Sequence, residues 1–92
     1  MATLKEEEIG ERLGELAGWE RDGEAITKSF DRGDFVGSVK FVDSLVQPAE
    51  EMNHHPDLAI SWSEVKVTIT THSEGGLTKN DFELAKRIDA LT

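Results

Sequence analysis

Residues 57–72 read DLAISWSEVKVTITTH, two runs in which apolar and polar side chains alternate. A period of two is the pattern of a β-strand with one face buried and one face wet. Leu58, Ile60 and Trp62 share a face of the first run; Val65, Val67 and Ile69 share a face of the second. A tight turn at Ser63-Glu64 pairs Trp62 with Val65, Ile60 with Val67 and Leu58 with Ile69, so that each pair is apolar and on one face. That face needs a cover, and the rest of a 92-residue chain has to supply it.

Three helical patterns are available. Thr3 and Glu6 have capping-box spacing ahead of Leu4, Ile9, Leu13 and Leu16, and Gly18 is the expected stop. Asp34 is the expected N-cap of a second helix. Phe35, Val39, Val42, Val46 and Ala49 follow it at helical steps and predict one continuous buried stripe. Pro48 lacks an amide and crowds the carbonyl of Ser44, which predicts a kink before the helix resumes through AEEMN. Thr78 and Asp81 form a capping box for a last helix, with Leu84, Ala85, Ile88 and Leu91 as its buried stripe. WERDGEAITKSF reads as two short strands around an Asp22-Gly23 turn, and SEGG as the turn before the last helix. The expected fold is α+β: a four-stranded antiparallel sheet with helices packed on one face, in the order α-β-β-α-β-β-α, as a single domain over 1–92.

Nineteen Asp and Glu against ten Lys and Arg make a surface that repels phosphate backbones and anionic lipid, so no direct nucleic-acid or membrane partner is expected. No run approaches the 18 or more apolar residues of a membrane span, and no basic start leads into an apolar segment. The chain has no cysteine, which excludes disulfides, thiol nucleophiles and thiolate metal sites. A cytoplasmic location is the expectation.

The chemistry gathers at residues 50–56, EEMNHHP, which hold two of the three histidines. Continuing the hairpin pairing outward brings His72 opposite position 55, so all three imidazoles fall at one end of the sheet. Glu50 and Glu51 each stand four residues before a histidine, where a helix places a carboxylate under an imidazole. Pro56 biases His55 out of helical conformation and is expected to end the second helix there. Three roles fit this cluster. The histidine pair can satisfy helix-terminal carbonyls at the negative end of the dipole. His54, His55, His72 and Glu50 can ligate zinc, although adjacent histidines lack the i, i+4 spacing of a helical ligand pair. Or the imidazoles, with a reference pKa of about 6.5, can give a proton to a leaving oxygen and take one elsewhere on the same substrate. No serine has the context of an activated nucleophile.

These residues resemble the pterin-4a-carbinolamine dehydratase family. Glu50, His54, His55 and Pro56 stand as its E-x-x-x-H-H-P motif, and Trp62, His72 and Asp81 follow at its spacing. TITTHSEGGLTKND is similar to its strand-end segment, and Gly18-Trp19 and Asp34-Phe35 match more weakly. The resemblance implies a dehydratase that removes water from 4a-hydroxytetrahydrobiopterin to give the quinonoid dihydropterin in tetrahydrobiopterin recycling. It implies His54 and His72 as proton donors, His55 in binding and proton transfer, and Glu50 orienting a histidine. Asn53, Thr70, Thr71, His72 and Ser73 would contact the pterin along with His54 and His55. No metal and no separate cofactor are implied, since the pterin is the substrate, and the assembly would be a homodimer or homotetramer. The alternative is a non-catalytic dimerisation or protein-binding module on the same fold. Asp81 has a complete account as a capping residue and is placed outside the site; Trp62 is placed in the core by parity. Arg32 stands where members often carry an aromatic, Ser73 where they are often acidic, and Pro48 in a helix usually free of proline.

Overall fold

The computed structural model describes residues 2–92. In chain order the elements are α1 (Glu6–Gly14), β1 (Glu20–Asp22), β2 (Ala25–Asp31), α2 (Phe35–Ser44), α3 (Val46–Met52), β3 (Asp57–Ser61), β4 (Glu64–Ile69) and α4 (Lys79–Asp89), with a 3-10 turn at His72–Glu74 ahead of α4. The four strands are antiparallel in the order β1-β2-β4-β3, which is the expected fold class. Ile26 and Phe30 of β2 and Val65, Val67 and Ile69 of β4 form the buried sheet face. Against it pack Phe82, Leu84, Ala85 and Ile88 of α4, together with Ile9, Trp19, Phe41 and Leu45. Trp19 is locked by its indole N–H, which donates to the Asp89 carboxylate, and Lys28 bridges the same carboxylate at 3.0 Å.

The β3–β4 register differs from the expected one by two residues. Ser61 pairs with Glu64, Ile60 with Val65 and Leu58 with Val67, so the loop is Trp62-Ser63. A slip of two keeps every side chain on its face, so the apolar pattern cannot distinguish the two registers. Trp62 consequently sits in the turn with φ 45° and is 70% exposed, not in the core. Its carbonyl accepts from the buried Ser38 hydroxyl of α2 at 2.8 Å, which ties the hairpin tip to the helix.

The second helix is likewise turned about its axis. Phe35, Val39 and Val46, expected to be buried, are exposed, and the inward face carries Ser38, Phe41, Leu45, Pro48 and Ala49. Both faces of this helix are apolar, and the sheet takes the one that presents Phe41, whose ring lies 4.8 Å from that of Phe30. Asp34 caps it as expected, accepting from the Gly37 amide at 2.7 Å. The helix breaks at Leu45, which closes α2 and opens α3. Pro48 has no amide to give Ser44, so the kink falls within the turn that precedes the proline.

Smaller shifts follow the same logic. α1 is capped by Lys5 with Glu8 returning to its amide, not by Thr3 with Glu6, and it ends at Gly14. Gly18, with φ 83°, serves the entry into β1 instead of stopping the helix. The first hairpin turns at Gly23-Glu24, because Asp22 still pairs with Ala25. α4 uses the Thr78–Asp81 capping box as expected and buries Leu84, Ala85 and Ile88, whereas Leu91 lies beyond the helix and is exposed.

Candidate active site

α3 ends at Met52 because Asn53 adopts the left-handed conformation, φ 48° and ψ 45°. Asparagine is among the few residues that take this conformation readily. The helix therefore stops before Pro56 can act, and His54 and His55 leave in an extended segment that runs into β3. Alternation along that segment sends the two rings in different directions.

His54 turns inward. Its side chain is 11% exposed, and Nε2 lies 2.6 Å from Oδ1 of Asp81, which is fully buried. The other oxygen of that carboxylate, Oδ2, accepts from the Thr78 amide at 2.8 Å and the Thr71 hydroxyl at 2.8 Å. The hydroxyls of Thr71 and Thr78 are 2.9 Å apart. His55 turns outward, and its Nε2 meets Glu50 Oε2 at 2.5 Å. The expected i, i+4 stacking of glutamates under histidines does not occur: Glu50 serves His55 at i, i+5, Glu51 faces Arg87 at 3.8 Å, and His54 takes its carboxylate from α4. The left-handed turn at Asn53 rotates the histidines off the helical register and produces this change of partners.

His72 is not opposite residue 55 on a strand. The β3–β4 pairing stops at Asp57 and Thr68, and His72 opens the 3-10 turn that Gly75 closes at φ 71°. Its ring is 80% exposed, with Nε2 3.9 Å from Oδ2 of Asp57, the first residue of β3. The 54–57 and 71–72 segments are thus tied twice, once through Asp57 and His72 and once through His54, Asp81 and Thr71. Of the other expected contact residues, Asn53 and Ser73 are exposed, Thr70 donates to the Glu24 carbonyl, and Thr71 belongs to the buried network. A groove of about 190 Å³ borders Glu50, His55, Pro56 and Leu58 and is otherwise lined by aliphatic side chains of α2 and α3. A larger hollow of about 470 Å³ at Arg32, Lys40 and Phe41 contains no histidine. There Arg32 lies over the Phe41 ring at 5.1 Å. Among the described residues, no three His, Asp or Glu side chains are arranged as metal ligands would be.

Two carboxylates next to the histidines escaped the sequence reading. Asp81 does cap α4, but capping uses one oxygen and leaves the other for His54. Asp57 carried no signal, since its proximity to His72 depends on where β4 ends.

Residues 2–91 match the family model described as pterin 4 alpha carbinolamine dehydratase. A Thermosynechococcus vestitus protein named "Putative pterin-4-alpha-carbinolamine dehydratase" is 47% identical over 88 residues, covering 96% of this chain and 93% of its own. A Sulfolobus acidocaldarius protein of the same name is 46% identical, covering 96% and 97%. The crystal structure of a transcriptional coactivator/pterin dehydratase from Brucella melitensis superposes with a TM-score of 0.91 at 37% identity over 97% of each chain. A pterin dehydratase-like protein identified as a RuBisCO assembly factor in the alpha-carboxysome superposes with a TM-score of 0.67 at 26% identity, over 80% of this chain and 88% of that one. With the family model and the first three of these relatives covering nearly its whole length, the chain belongs to the pterin 4 alpha carbinolamine dehydratase family.

Proposed function

We propose that the chain is a 4a-hydroxytetrahydrobiopterin dehydratase that works by histidine general acid–base catalysis and serves tetrahydrobiopterin recycling in the cytoplasm. In the reaction the C4a–O bond breaks, the hydroxyl leaves as water, and a ring nitrogen releases a proton to give the quinonoid dihydropterin. The hydroxyl leaves readily only when protonated, so the site needs one group to give a proton and one to take it. The observation that carries the reading is that three imidazoles lie at one end of the sheet, each with a carboxylate beside one ring nitrogen. His54 and His72 are assigned proton transfer, and His55, oriented by Glu50, binding and proton transfer. Asn53, Thr70, Thr71 and Ser73 complete the pterin contacts. No metal or cofactor takes part.

Turnover of synthetic 4a-hydroxytetrahydropterin by stopped-flow absorbance tests this. His54→Ala and His72→Ala are each expected to slow dehydration by about a hundredfold or more. A loss below about threefold in both defeats the mechanism. Full activity after exhaustive chelation is expected, and activity that depends on added metal would overturn the metal-free reading.

We also infer a homodimer or homotetramer. Phe35, Val39 and Val46 on the outer face of α2 and α3, Leu58 and Ile60 on the edge strand β3, and Trp62 are all large, apolar and exposed. An exposed apolar surface of this kind marks a contact site. The same surface favours the second reading, a protein-binding module, if catalysis is absent. Val39→Glu is expected to lower the mass measured by light scattering to that of a monomer; a wild-type chain already monomeric at micromolar concentration removes this inference.

A further inference from the structure

We propose that Asp81 is a positioning residue that sets the tautomer of His54 with one oxygen and anchors the turn carrying His72 with the other. The inference rests on the dehydratase reading only for its consequence in catalysis; the hydrogen-bond argument stands on the geometry.

Protons in this buried network can be counted. The Thr78 amide can only donate, and it points at Oδ2 of Asp81. The Thr71 hydroxyl donates to the same oxygen, so the contact between the two threonine hydroxyls is made by the proton of Thr78. Oδ2 therefore accepts twice. At Oδ1, 2.6 Å from His54 Nε2, one proton lies between carboxylate and imidazole. A carboxylate oxygen can only accept, so the donor across this contact is the ring nitrogen and the proton resides on Nε2. Neutral His54 is then the Nε2–H tautomer, and Nδ1 is the nitrogen left for proton transfer.

The second arm runs through Thr71. Its hydroxyl is held by Asp81, and its carbonyl accepts the amides of Glu74 and Gly75 that close the turn bearing His72. Thr71 also bridges to Gly76 across that turn. One carboxylate thus references both histidine-bearing segments to the first turn of α4.

The same count makes a specific prediction for Asp81→Asn. Two donors converge on the Oδ2 position, so the amide must keep its carbonyl oxygen there. Its NH2 group then faces His54, whose Nε2 has to become an acceptor, and the tautomer inverts to Nδ1–H. The threonine bonds survive, so the fold is retained.

Imidazole 15N–1H correlation spectra of the wild-type chain test the first step without any assay. A protonated Nε2 and an unprotonated Nδ1 on neutral His54 are expected; the reverse assignment overturns the proposal. In Asp81→Asn the inverted pattern is expected, with dehydration slowed about a hundredfold or more and Tm little changed. An Nε2–H signal that persists in a folded Asp81→Asn chain overturns it. Thr71→Val offers a second variant should Asp81→Asn not fold: it is expected to keep the Nε2–H tautomer while the Glu74 and Gly75 amides exchange at least about tenfold faster. Unchanged exchange there removes the second arm. If the wild-type chain fails to dehydrate the pterin while the tautomer results hold, the functional reading falls and the positioning role remains.

Discussion

His54 and His55 are adjacent in sequence and opposite in circumstance. His54 is nearly enclosed and bound to a carboxylate fully removed from water, on an element 27 residues away. His55 is more than half exposed and bound to Glu50 from the preceding helix, itself mostly in solvent. His72 resembles His55 in exposure, with Asp57 at a longer 3.9 Å. A buried hydrogen-bonded carboxylate has no water to replace a lost partner, so its bonds fix geometry; an exposed pair exchanges freely with solvent and is worth little. One imidazole of the cluster is therefore built into the fold, and the other two stand at its surface.

The largest effect expected from breaking this contrast is at Asp81. Asp81→Ala strands the His54 Nε2–H, the Thr71 hydroxyl and the Thr78 amide in a dry site, each costing about 1–3 kcal/mol. Urea unfolding should show a total loss of about 3 kcal/mol or more, with Tm lower by more than about 10 °C. A loss under about 1 kcal/mol would show that the network is not structural and would erase the distinction between the two histidines. Glu50→Gln comes next. Its pair is exposed, so stability should move by less than about 0.5 kcal/mol, and any cost should appear in pterin affinity, measured by titration calorimetry. Asp57→Asn should change least. At 3.9 Å in solvent its stability effect should be within measurement error, and 0.5 M salt should abolish any shift in the His72 imidazole resonances on substitution. A strong, salt-resistant effect at Asp57 would move His72 into the same class as His54.

The contrast between α2 and α4 runs parallel to that between the histidines. α4 has one apolar stripe, and Leu84, Ala85 and Ile88 are buried as their spacing requires. The α2–α3 segment is apolar on more than one side, and Phe35, Val39 and Val46 of the expected stripe lost the core to Phe41 and Leu45, while Ala49 is buried as expected. Periodicity identifies an inward face when only one face is apolar. With two candidates the choice goes to the packing partner, here Phe30 beneath Phe41.

What the chain's order of residues determined was its elements, the inward faces of β4 and α4, and the end of the sheet where the histidines gather. Alternation specified β3 and β4 and their parity, capping chemistry placed the start of α4, and the E-x-x-x-H-H-P segment marked the candidate site. These are local signals, carried by a few neighbouring side chains. The tertiary structure alone decided the register of the last hairpin, because a two-residue slip leaves both faces unchanged. It also decided which side of α2 meets the sheet, and which carboxylate meets which histidine. Asp81 joins His54 only because α4 packs against α3, and a contact made between separate elements depends on the packing of all the layers at once, which no local pattern encodes.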